Sequence, residues 1–187
     1  MRDLVKTEII CSVVADKADV MGYYDPVRVQ GYCGACEKYG LFWSCPPFDE
    51  SPLEKLPAWS HAVLITQKTW VDPGSTKESL VGQFLVARQI LGDTLKKWEA
   101  DDAVVVIAGH CSGCSACTRS RGVACCSPDQ KRYSLEGLGF DVTGLVEGLT
   151  GQKMDWPMSG IPAYLLIVGA LLCSSCDVAE RVIAEPR

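Results

Sequence analysis

Histidine is nearly absent: 187 residues hold two, His61 and His110. A metal site or acid–base machine built on imidazoles is therefore not expected. Nucleotide-binding loops are missing too. Pro73-Gly74-Ser75-Thr76-Lys77 lacks the spacing of a phosphate-cradling loop, and no GxGxxG fingerprint occurs. There is no CxxxCxxC of the radical S-adenosylmethionine type, no HExxH and no GxSxG. Any activity must come mainly from metal, thiols or a cofactor held without these motifs. Long apolar runs are also lacking. The longest, Ile161 to Cys173, contains Pro162 and Gly169 and falls short of the roughly 20 residues that span a bilayer, so no membrane association is expected. Arg2, Asp3, Lys6 and Glu8 break up the N-terminal stretch, and no signal peptide is expected. Repeats, low-complexity tracts and linkers are absent, and the length suits one domain over residues 1–187. The formal charge of -5 argues against nucleic acid as a partner, since phosphate binding needs a cationic face.

What the chain has is cysteine, eleven residues of it. A disulfide-stapled secreted protein would be shorter and carry a leader, so a reducing cytoplasm is expected, where clustered cysteines signal metal or catalysis. Cys111, Cys114 and Cys117 follow one another at steps of three, with Cys125 eight residues on and Cys126 beside it. Thiolates bunched this way pair poorly with one another but close well around an iron–sulfur cluster, as the CxxCxxC run of dicluster ferredoxins does. Cys125 or Cys126 supplies the fourth sulfur. Gly109, Gly113 and small neighbours let the backbone wrap closely and aim amides at sulfur. Tetrahedral zinc is the alternative. His110 is expected to pack or hydrogen-bond at a strand end.

A second nest, Cys33, Cys36 and Cys45, ends in Cys-Pro and has three members. Either Cys173 or Cys176 of LLCSSCDVAE completes it, or one metal position is open to a substrate oxygen or sulfur. That CSSC, at a predicted helix start, also fits a redox dithiol. Tyr32, Tyr39, Phe42, Trp43 and Phe48 are expected to shield this nest from water. Cys11 reads as a small buried hydrophobe.

The fold class is α/β or α+β, a compact mixed sheet with flanking helices and two cysteine-rich metal-binding loops. Strands are expected at Thr7 to Val14 (with Ile9, Cys11 and Val13 on one face), His61 to Trp70, Ala103 to Ala108 and Pro162 to Leu172. Lys77 to Trp98 has the best helical spacing, and its flanking strands suggest a parallel crossover with the second nest at its carboxyl end. Met21 to Gln30 suits a turn and short strand. Further helices are expected at Pro128 to Leu138 (capped by Ser127 and stopped by Gly139), Val142 to Leu149 and Asp177 to Ala184.

The stretches CGACEKYGLFWSCPP (Cys33 to Pro47), AGHCSGCSAC (Ala108 to Cys117) and CCSPDQKRYSLEGLGFDV (Cys125 to Val142) together resemble a family of small cysteine-rich proteins of anaerobic microbes, the predicted metal-binding proteins of domain of unknown function 2284. The resemblance implies metal binding, through iron–sulfur, and favours Cys125 over Cys126 as ligand. It also draws Arg132, Ser134 and Glu136 into the site as cofactor-binding residues. By helical spacing, Arg132 and Glu136 are expected to form a salt bridge.

Three functions follow from such ligands. The first is electron transfer through two [4Fe–4S]-type clusters to a redox partner protein, with Arg119, Arg121 and Lys131 near the docking face and Arg132 compensating charge. The second is an enzyme using an open iron on a small sulfur- or oxygen-bearing substrate. The third is a zinc-stabilised interaction module.

Overall fold

The computed structural model describes residues 5–100, 102–154 and 160–184. The reading of Arg2 and Asp3 lies outside these. Ten-residue strands β1 (Thr7–Asp16), β2 (His61–Trp70) and β4 (Tyr164–Cys173) and the short β3 (Ala103–Val106) form one sheet in the order β1-β2-β4-β3. Every pairing is antiparallel.

Strand β4 takes a central place because its run from Ile167 to Cys173 is buried on both faces. That position corrects the expected crossover. β2, α3 (Lys77–Lys96) and β3 do form a unit, and β2 and β3 run the same way, but β4 is inserted between them antiparallel to both. Local periodicity specifies a strand, a helix and a strand; it does not specify which strand fills the gap.

Alternation along the strands feeds two cores. Ala62, Leu64, Val106, Val168, Ala170 and Leu172 face Val20 of α1 (Lys17–Met21), Leu135 and Leu138 of α4 (Leu135–Leu138), and Leu145 and Val146 of α5 (Val142–Thr150). Val63, Ile65, Val105, Ile167 and Leu171 face Ala87, Leu91 and Leu95 of α3 and Val178, Ala179 and Val182 of α6 (Cys176–Ala184). The long helix starts where Thr76 and Ser79 cap one another, the Thr76 hydroxyl accepting from the Ser79 N–H at 3.2 Å.

Three local expectations change. The register of β1 against β2 slips between Ile9 and Cys11, so Ile10 is an extra residue. A bulge of this kind reverses the alternation, which puts Ile9 in the same core as Val14 rather than beside Cys11 and Val13. Cys11 is only half-buried, because β1 is an edge strand. Residues expected as turn and strand form α2 (Pro26–Gly34), with Pro26 in its first turn and Asp25 accepting the Arg28 N–H. The helix expected from Pro128 stops after one 3-10 turn, Pro128–Gln130; the chain then extends so that Ser134 bridges Ile107 in parallel, and Ser134 caps α4. Gly139 ends that helix in the left-handed conformation, at φ 101°.

Gly169 marks the closest approach of helix to sheet. A β-carbon there would lie 2.5 Å from Leu95 Cδ1 and 3.1 Å from the Val106 carbonyl oxygen. Gly169→Ala is expected to cost about 1–3 kcal/mol by overpacking, lowering the urea midpoint without changing the slope.

Candidate metal centre

The second cysteine nest grows from the end of β3. Beyond Val106, the Ile107 N–H donates to the Tyr133 carbonyl at 2.9 Å, and Gly109 turns the chain at φ 67°. Arg88 of α3, buried under the sheet end, holds the exit of this strand. Its guanidinium donates to the His110 carbonyl and, at 3.1 Å, to His110 Nδ1. Arginine only donates, so the imidazole proton sits on Nε2. Burial, then the charges of Arg88 and Lys38, push the His110 pKa down to about 4, leaving the ring neutral near pH 7. That ring packs on Phe42 with centroids 4.0 Å apart.

Cys111, Cys114, Cys117 and Cys125 line one small cavity with Phe42, Trp43, Ser44, Ser127 and Lys131. Backbone amides reach the sulfurs: Gly113 N–H to Cys111 Sγ at 3.3 Å and Trp43 N–H to Cys117 Sγ at 3.4 Å. Amide-to-sulfur bonds of this kind favour thiolate and tune any metal it binds. Gly113 is required for the wrapping, since a β-carbon would meet the Gln130 carbonyl oxygen at 2.8 Å. Cys125 faces the cavity, whereas Cys126 is exposed and hydrogen-bonds Cys114. Burial and these neighbouring thiols raise the Cys114 pKa.

The first nest backs onto the second. Cys33 sits in the last turn of α2, and Cys36 and Cys45 in the turns beyond it. Between Phe42 and Pro47 the chain is a shared wall. Cys45 belongs to the first nest, while Ser44 Oγ accepts the Cys111 N–H at 2.8 Å and Trp43 binds Cys117. Arg119 clamps this wall, donating to the carbonyls of Phe42 (at 2.8 Å), Cys45 and Pro47. Burial, then the charges of Glu136, Cys45 and Cys36, push the Cys33 pKa up to about 11. Burial also raises Cys45. Beside Cys33 opens a pocket of about 170 Å³ whose lining includes Gln30, Phe48, Asp49, Ser51 and Glu136.

Several expected residues take other work. Arg132 pairs in bidentate fashion with Glu99 at 2.6 Å, not with Glu136, because it precedes α4 and points back across the sheet end. Ser134 accepts the Gly137 N–H at 3.1 Å as helix cap. Arg119 donates to loop carbonyls, Arg121 is exposed and Lys131 lies 5.1 Å over the Tyr133 ring. Phe42 and Trp43 wall the second nest rather than the first, and Tyr32 is exposed, hydrogen-bonded to Arg28 Nε at 3.0 Å. Arg88 and Ser44 went unread in the sequence, since an arginine inside an amphipathic helix carries no signal of its destination.

Cys173 and Cys176 are not brought to either nest. Cys173 pairs with His61 and Ala103, at the entry of β3, whereas the loop of the second nest follows its exit at Val106. Burial, then Asp102, push its pKa up to about 11. Cys176 opens α6, and burial and the charges of Glu180, Asp177 and Asp16 raise its pKa as well. Among the described residues no three His, Cys, Asp or Glu side chains are drawn together as for a single metal ion. The four-sulfur cavity, at about 20 Å³, has room for a water-sized body. The donor set itself, four thiols with amides directed at them, suits a thiophilic metal.

Alkylation of metal-free protein tests these environments. Exposed Cys36 and Cys126 are expected to react first and Cys173 last. Because thiolate is the reactive form, the Cys173 rate should rise about tenfold per pH unit until pH reaches its raised pKa. Fast labelling of Cys173 at pH 8, mapped by mass spectrometry, contradicts the burial assigned to it.

No curated protein and no solved structure matches the chain. A family model matches residues 23–179, from the end of α1 through both nests into α6, and on that match the chain belongs to the family described as predicted metal-binding protein (DUF2284).

Proposed function

We propose that this metal-binding protein carries two iron–sulfur centres of the [4Fe–4S] type and passes electrons between them and a redox partner in a reducing cytoplasm. The observation that carries the reading is the shared wall from Phe42 to Pro47, which gives Cys45 to one nest and closes the other through Ser44 and Trp43. Cys45 and Cys117 lie close enough for their charges to interact. When bound, each cluster supplies a one-electron carrier.

The chain's own residues support an anionic guest. Arg88 is 6% exposed, and its hydrogen-bond partners are the neutral ring and carbonyl of His110. Burial acts against its charge, while Cys111 and Cys45, when ionised, favour it. A desolvated guanidinium without a carboxylate is costly, and thiolates bound to metal would offset that cost. The CxxCxxC spacing favours a cluster over zinc.

Anaerobically purified protein should be brown and hold about eight iron atoms with as many acid-labile sulfides per chain. Replacing Cys114 and Cys117 by serine should remove about half of each and one of two reversible one-electron signals. Zinc without sulfide would overturn the cluster assignment, and iron that cannot be reduced reversibly would overturn the relay. Arg88→Met should weaken retention of the second cluster against a chelator by about tenfold or more, while the metal-free fold is held or gains stability. Equal loss of both forms would assign Arg88 a purely structural role.

A further inference from the structure

We propose that the pocket between α2, α4 and residues 46–52 binds a small organic cation, an ammonium or guanidinium on a short apolar body, whose charge pairs with Glu136. The site needs no metal in either nest and goes beyond the electron-transfer reading.

Its walls are fixed before any ligand arrives. The end of α4 presses on the start of α2, where a β-carbon on Gly139 would meet Tyr24 Cε2 at 2.9 Å and Pro26 Cβ at 3.1 Å. The Asp25 N–H donates to the Gly139 carbonyl at 3.0 Å. Gly137 approaches the wall of the nests as closely, since a β-carbon there would meet the Ser44 carbonyl oxygen at 2.9 Å. On the third side the Gly40 N–H donates to the Pro46 carbonyl at 2.8 Å, and Arg119 donates to that of Pro47. Phe48 stands edge-on to Tyr133 with centroids 5.9 Å apart. A cavity formed in advance spares its ligand the cost of ordering it. At about 170 Å³ it compares with apolar cavities of roughly 150 Å³ that take a benzene ring.

Charge selects the class of occupant. Glu136, Asp49 and Glu50 stand in the lining and no lysine, arginine or histidine does, so an anion is disfavoured. Glu50 is already paired, with Lys55 at 2.6 Å. Glu136 is not: among the described residues no lysine or arginine forms an ion pair with it. Burial raises its pKa, yet the residue keeps access to solvent, because it lines the pocket. Ser134 and the Glu136 backbone N–H hydrogen-bond the carboxylate and hold it in place. A carboxylate has about four lone-pair positions, so these leave room for a ligand's N–H donors. A cation beside it would offset the desolvation of its charge.

A metal ion is the poorer occupant, since among the described residues no three His, Cys, Asp or Glu side chains are gathered to ligate one. An organic cation brings its own hydrogen-bond donors instead. Ser51 Oγ, buried in the same lining, has no hydrogen-bond partner and can accept one of them. Tyr24, Pro26 and Phe48 supply apolar and aromatic wall for the rest of the ligand.

Benzylamine, protonated at pH 7, is the probe, with benzyl alcohol and benzoate as its neutral and anionic counterparts. Calorimetry on the anaerobically purified chain in amine-free buffer should give one saturable site with a Kd of about 1 mM or tighter. Hydrogen exchange read by mass spectrometry should slow in segments 46–52 and 135–139 and stay unchanged in α6. Benzyl alcohol should bind about tenfold or more weakly, and benzoate should not bind. Glu136→Gln keeps the side chain's shape and should lower benzylamine affinity about tenfold or more without changing that of benzyl alcohol. Asp177→Asn, which removes an exposed charge on α6, should change neither. Absence of saturable benzylamine binding overturns the proposal, as does equal binding of benzyl alcohol or an equal loss in Asp177→Asn and Glu136→Gln. Should Glu136→Gln fail to fold, the ranking of the three probes and the exchange map on the unsubstituted chain decide the matter. None of these readouts depends on iron, so the cluster reading stands or falls separately.

Discussion

The grip of Arg119 on the carbonyls of Phe42, Cys45 and Pro47 is the contact on which the metal-binding end of the molecule depends. Two cysteine loops separated by more than sixty residues in the chain contain no regular structure long enough to hold a shape. A guanidinium presents five donors in a rigid fork, and here it reaches three carbonyls of one turn, of which that of Phe42 also accepts the Cys45 N–H. Because Arg119 follows Cys117 by two residues, closing the first loop also fixes the second. Lysine, with one compact charge on a flexible stem, could not span three carbonyls in this way.

The sheet provides the anvil for this arrangement, and much of it was legible. The alternation and β-branching of HAVLITQKTW gave β2 to the residue, and the apolar spacing after Thr76 gave α3. Both are long, strongly patterned and locally determined. The β1 bulge was not legible, since it reflects how an edge strand fits a twisted neighbour. Nor was the insertion of β4, which depends on which of several apolar strands wins the doubly covered place. Asp25-Pro26 did carry a helix-start signal, but α2 has one buried residue, Val29, and so no apolar stripe to confirm it.

The candidate site divides along the same line. Spacing within a loop showed which cysteines share a nest, because three residues of chain cannot carry two sulfurs far apart. Partnerships between loops were hidden. Ser44 meeting Cys111, Trp43 meeting Cys117 and Glu136 standing beside Cys33 all depend on tertiary placement. Spacing also misled where it was most familiar. Cys173-Ser-Ser-Cys176 has the form of an active dithiol, yet burial and nearby carboxylates raise the pKa of both thiols.

Arg88 brings the electrostatics together. A chain already at -5 gathers the cysteines of both nests at one end, and each metal thiolate bound there adds negative charge. Ion pairing with acidic side chains would cancel the cations needed to balance it. The structure instead keeps two arginines on neutral acceptors: Arg88 on His110, Arg119 on loop carbonyls. Neither is neutralised in advance, so each retains its field for the sulfur it faces. Arg132, by contrast, is closed off by Glu99 and adds nothing to that field beyond the Glu99 charge it cancels. The depressed His110 pKa belongs to the same design, because a second proton on the ring would repel Arg88 from the position that braces the exit of β3.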